Sequence, residues 1–107
     1  MDKPTVDPKR TGVKATQQDE WPDDCNYQPG AFYRLKNSTG RLQFACPGCG
    51  QLGSIRAGNP KPAETPSWDI VSGTVDDVTT LTLSPSINCV GCCGWHGYLK
   101  NGVFESC

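Results

Sequence analysis

The chain has 107 residues, a formal net charge of −1, seven cysteines and one histidine. That length allows one small domain, which buries a modest fraction of its surface and often needs metal or disulfide support. The near-neutral balance and scattered Lys and Arg count against a nucleic-acid groove, which needs clustered cations, and no stretch approaches membrane-spanning length.

Residues 1–24 hold three prolines, alternating charges and, after Met1, only Val6, Val13 and Trp21 as large apolar side chains. Such a composition does not offset the entropy of ordering. The expectation is a flexible tail over 1–24, with Trp21 the anchor of any partner-binding arm, and a folded domain over 25–107. Met1–Arg10 carries Lys, Asp and Pro where a secretory signal has an apolar run. This points to the cytoplasm, where paired Cys-x-x-Cys turns favour metal over disulfides.

Tyr27-Gln-Pro-Gly30 reads as a turn. Ala31–Lys36 and Arg41–Ala45 read as strands joined by the hairpin loop Asn37-Ser-Thr-Gly40, and the second strand leads directly into Cys46. After the turn at Cys46, Leu52 and Ile55 suggest a short extended piece. Pro60, Pro62 and Pro66 then oppose a helix, leaving room for a short helical turn at most within 50–66. Ser67–Val71 and Val78–Leu83 are the next strands; Leu81 and Leu83 share a face, and Val78 departs from the alternation. Ser84-Pro-Ser-Ile87 is a turn or bulge, and Tyr98–Glu105 closes the domain as a hairpin around Asn101-Gly102. The fold class is mostly β.

Cys46-Pro-Gly-Cys49-Gly50 has the form of half a zinc site. Proline fixes one turn dihedral, glycine relieves the positive dihedral after the second ligand, and backbone N–H groups can point at the sulfurs. The second turn reads in two registers, Cys89-x-x-Cys92 or Cys93-x-x-His96. The first is followed by Cys93, with a Cβ where a knuckle prefers glycine, whereas Gly97 follows His96 as Gly50 follows Cys49. The favoured ligand set is therefore Cys46, Cys49, Cys93 and His96 around one Zn2+, with Cys89 and Cys92 as the alternative pair. Adjacent Cys92 and Cys93 are expected to point apart, and Cys25 and Cys107 have no assigned role.

Cys93-Gly-Trp-His96-Gly97 resembles the second motif of Rieske iron–sulfur domains, a Cys-Pro-Trp-His-Gly turn. The resemblance implies a Rieske-like or rubredoxin-like architecture, two ligand-tipped loops on small antiparallel sheets. A Rieske cluster takes two histidines on one iron. This chain has one, so the implied centre is a three-cysteine, one-histidine zinc site, with a Rieske-like iron–sulfur electron-transfer protein as an alternative. From about Gly30 to Glu105 the chain also resembles a family of small bacterial and phage proteins. That likeness rests on the Cys-Pro-Gly-Cys-Gly turn, the Trp68 strand, Thr82-Leu-Ser-Pro-Ser-Ile87 and the Cys-x-x-His turn followed by an Asn-Gly hairpin. It implies a phage-encoded Rieske-like zinc domain in a bacterial host cytoplasm, and a possible place for peptidase chemistry beside ubiquitin-like conjugation systems. Some phage members carry the label ammonia monooxygenase, which one histidine among thiolates does not support.

Four filled ligand positions leave zinc no open site. This favours a non-enzymatic module that binds a host or phage protein, its oligomeric state open; Trp95, Tyr98, Trp68 and Phe104 are the aromatic candidates for a contact patch, with core packing around the knuckles the favoured reading of Trp68 and Phe104. The alternative is a zinc-dependent peptidase with Glu64, Asp69, Asp76 or Asp77 as general base. Ser84 and Ser86 could face the site, but with His96 on the metal no imidazole remains to activate a serine. Redox work through Cys89 and Cys92 lacks a thioredoxin-like context.

Overall fold

The computed structural model describes residues 6–18, 27–34, 41–58, 63, 67–89 and 92–107. Trp21, Cys25, the Asn37–Gly40 loop, Glu64 and Pro60, Pro62 and Pro66 lie outside the described residues. Among the described residues the chain is all β, with ten strands: β1 Val13–Lys14, β2 Thr16–Gln18, β3 Ala31–Arg34, β4 Arg41–Ala45, β5 Leu52–Gly58, β6 Trp68–Thr74, β7 Asp77–Ser84, β8 Ile87–Asn88, β9 His96–Lys100 and β10 Val103–Ser106.

These form two sheets. One runs β1-β10-β9-β8 and the other β2-β3-β4-β5-β6-β7. The first is antiparallel throughout. The second is mixed, because β2 with β3 and β5 with β6 pair in parallel. The alternation along β9 and β10 buries Gly97, Leu99 and Phe104 and turns His96, Tyr98 and Lys100 outward. In β7 both Val78 and Leu81 are buried although three residues apart. The irregular register between β6 and β7 accommodates this break in the period.

The aromatic centre is made by Phe32, Phe44 and Phe104, whose ring centroids lie 5.8–5.9 Å apart in stacked pairs. Trp95 meets Phe104 edge-on at 5.8 Å. Trp95 and Phe104 are fully buried and Trp68 nearly so, leaving Tyr98 as the one exposed member of the expected aromatic contact patch. Trp68 and Phe104 are core, as favoured from the sequence, and the correction falls on Trp95, which faces the interior instead of a contact surface.

Residues 6–18 differ from the expectation of a flexible tail. Val13 and Lys14 pair with Phe104 and Val103, and Thr16–Gln18 pairs with Ala31–Tyr33. The Asp7 N–H donates to Gly48 O at 2.7 Å, and the Trp95 indole N–H donates to Arg10 O at 2.7 Å. The reason is main-chain pairing: β10 and β3 each present an edge, and a polar strand satisfies an edge as well as an apolar one. The 101–102 turn follows the sequence expectation, with φ 49° at Asn101 and 77° at Gly102 as a two-residue hairpin requires.

Replacing Phe104 with Ala removes the ring that contacts Phe32, Phe44 and Trp95 together. It should destabilise the domain by about 3–5 kcal/mol in chemical denaturation.

Candidate functional site

Two constellations meet around β8 and β9. The first is a thiol cluster. The Sγ atoms of Cys46, Cys49, Cys92 and Cys93 all lie within 4.8 Å of one another, and Cys46 and Cys93 approach to 3.6 Å. Tetrahedral zinc with Zn–S bonds of about 2.3 Å needs sulfurs roughly 3.8 Å apart, so four thiolates can close on one cation with small shifts. The Gly48 N–H points at the Cys46 sulfur at 3.4 Å, the arrangement expected of a knuckle. A Cβ at Gly48 would strike Cys93 Sγ, Asp7 O and Trp95 Cβ. The first turn is therefore seated directly on the second.

The electrostatics suit a cation. The Cys46 thiol is pushed up by the neighbouring Cys89 thiol and by burial. Burial, with smaller effects from Cys49 and Cys46, pushes Cys92 up to about 12, against the opposing backbone bond from Cys93. Burial also pushes Cys93 up to about 11. Burial raises Cys49 too, but the Gln51 backbone and the thiols of Cys92, Cys46 and Cys93 hydrogen-bond to it and bring its pKa down on balance. Crowded thiols thus share little negative charge alone. A divalent cation would stabilise all four as thiolates. Cys89, partly buried against the core, stands beside Cys46 but outside the four, and Cys107 is exposed.

Three of the four expected ligands, Cys46, Cys49 and Cys93, come together. His96 does not join them, and Cys92 does. The glycine comparison explains the difference. Gly97 lies in β9 with ordinary strand geometry, whereas Gly94 has φ 82°, matching 81° at Gly50. The counterpart of Cys49-Gly50 is therefore Cys93-Gly94. Backbone bonds from Cys92 N and Gly94 N to Cys89 O, at 3.2 and 3.0 Å, curl this turn. The curl brings the adjacent Cys92 and Cys93 sulfurs to one cluster, where an extended chain would have parted them.

The second constellation is Ser86 and His96. β8 pairs with β9 through Ile87↔Gly97 and Asn88↔His96. Continued by one residue, this register puts Ser86 opposite Tyr98 and diagonal to His96, on the outward face. There Ser86 Oγ and His96 Nε2 are 2.8 Å apart. The Trp68 indole N–H donates to Ser86 O at 3.2 Å from the other side, fixing the main chain that carries the hydroxyl. A serine hydroxyl within hydrogen-bond reach of an imidazole is the elementary unit of nucleophile activation. Of the carboxylates considered as bases, Asp76 and Asp77 lie at the β6–β7 connection, and Asp69 pairs with Ser84. The serine was visible in the sequence. With His96 expected on the metal, the sequence offers that serine no imidazole.

A family model described as BubE, Bacterial ubiquitination-like system serine protease, matches residues 17–107. No curated protein matches this chain. No solved structure matches it either.

Cys49→Ser should strip the metal and lower the melting temperature by about 10 °C or more, because metal binding is folding free energy in small metallodomains. His96→Ala should keep its metal, as read by elemental analysis and a melt on the same samples. Metal loss in His96→Ala would return the imidazole to the ligand set.

Proposed function

Since this chain belongs to the BubE family, whose description is that of serine proteases of bacterial ubiquitination-like systems, we propose that it is a serine peptidase with Ser86 as nucleophile and His96 as general base. The observation that carries the reading is the 2.8 Å contact between Ser86 Oγ and His96 Nε2. It favours a peptidase over the interaction module expected from the sequence, whose aromatic patch is mostly buried. In this reading the chemistry belongs to the serine and the thiol cluster takes no part in it.

In this reading His96 Nε2 accepts the Ser86 hydroxyl proton as Oγ bonds to the scissile carbonyl carbon. The ring must then carry its own proton on Nδ1. The C–N bond breaks, the imidazolium returns the proton to the leaving amine, and an acyl-serine remains. Water, deprotonated by the same imidazole, cleaves that ester and regenerates the hydroxyl. Trp68 acts as a positioning residue by holding Ser86 O.

The thiol cluster has a supporting role. One Zn2+ held by Cys46, Cys49, Cys92 and Cys93 would have no open position. It would tie the 46–50 turn to the 92–94 turn, one residue before the fully buried Trp95 and two before His96. The substrate we assign is a protein component of a ubiquitination-like system, met in a bacterial cytoplasm. Among the described residues, no helix is long and apolar enough to cross a membrane.

A fluorophosphonate should label Ser86, as located by peptide mass mapping. Ser86→Ala should abolish labelling, and His96→Ala should slow it by about 10²–10⁴-fold. Undiminished labelling of Ser86→Ala would refute the assignment.

A further inference from the structure

Against β8, at the residues that follow the serine, lies a cavity of about 230 Å³. Its walls include Phe44, Leu52, Ser54, Trp68, Ile87 and Asn88. This is smaller than the usual space for a whole small-molecule ligand and suited to one or two amino-acid side chains. Phe44, Trp68 and Ile87 are buried and give it an apolar floor, while Ser54 and Asn88 stand exposed at its mouth.

Two strand edges border it. Among the described residues β8 is the last strand of its sheet. The Cys89 N–H donates to Trp95 O, so the antiparallel alternation directs the Ile87 main chain towards β9 and the Asn88 N–H and C=O towards the open side. On the opposite wall, among the described residues β5 pairs with β6 only at Ala57 and Gly58. With Cys46 N donating to Gln51 O, the same alternation turns the main chains of Leu52 and Ser54 away from β4. Main-chain donors and acceptors thus line a slot whose floor is apolar. That combination recognises an extended peptide, through backbone pairing and alternate side chains in pockets.

Trp68 joins this slot to the chemistry, since its ring forms part of the wall while its N–H holds Ser86 O. Asn88 is two residues from Ser86, and strands rise by about 3.3 Å per residue. A peptide residue seated here therefore lies within about three residues of a bond presented to Ser86.

We propose that this cavity is the specificity pocket of the peptidase: it takes a bulky apolar side chain of a substrate lying extended along the open edge of β8. The proposal rests on the Ser86 and His96 reading and deepens it by naming the substrate feature selected.

The test uses full-length protein and internally quenched peptides in which Leu, Phe, Asp or Gly is scanned through three positions on each side of the cleaved bond. One position should favour Leu or Phe over Gly and Asp by about tenfold or more in kcat/KM, the scale of apolar pocket discrimination. In Ser54→Trp, and separately in Leu52→Trp, that Leu-to-Gly ratio should collapse towards one. A ratio is unaffected by the amount of folded enzyme, so partial misfolding cannot mimic the result. If Ser86 is labelled by fluorophosphonate but no position prefers an apolar residue, no peptide is cleaved, or both variants keep the parent ratio, the pocket assignment is overturned and the serine reading stands. If Ser86 is not labelled in the parent protein, both fall.

Discussion

The site depends on the burial of Trp95. With its indole fully inside, donating to Arg10 O and set edge-on against Phe104, the following residue must project from the opposite face of the strand. That residue is His96. Trp95 Cβ sits against Gly48 and its ring against Gly97, so the first cysteine turn and the start of β9 share one packing surface. Driving one large aromatic inward both gathers the thiols and turns the imidazole away from them.

This separates two chemistries that the sequence places almost on top of one another. Thiolates suit a borderline-soft cation and satisfy it without help. An imidazole freed from that duty can accept a proton at Nε2, and the β8–β9 register supplies a hydroxyl to give it one. The cation, in this account, has a mechanical task. It anchors the turn between β4 and β5 and the turn between β8 and β9; β5 and β8 border the cavity, and β9 carries the histidine. Trp68 completes the arrangement from β6 by binding the carbonyl of the residue that carries the nucleophilic oxygen.

Much of the fold was legible because local chemistry and burial agreed. Leu42 and Phe44 alternate through β4, Leu81 and Leu83 through β7, and Asn101-Gly102 has the backbone preference its turn needs. The Cys46-Pro-Gly-Cys49-Gly50 turn was equally plain. The short strands β1 and β2 were not, since their ordering comes from main-chain groups at the edges of β10 and β3, which composition does not register. The second cysteine turn is where the sequence expectation and the geometry part, for a definite reason. Two glycines follow candidate ligands, Gly94 after Cys93 and Gly97 after His96, and only the backbone shows which one takes the positive φ. Matching Gly97 to Gly50 places the histidine on the metal and leaves Ser86 without an imidazole. A long-range register, Asn88 against His96, was the missing information.

X-ray absorption at the metal edge of the zinc-loaded protein tests the central division of labour most directly. The account predicts a single shell of four sulfur scatterers at about 2.3 Å and no imidazole signature. A shell of three sulfurs and one nitrogen near 2.0 Å, with the outer-shell pattern of a histidine ring, would contradict it, because His96 is the only histidine in the chain.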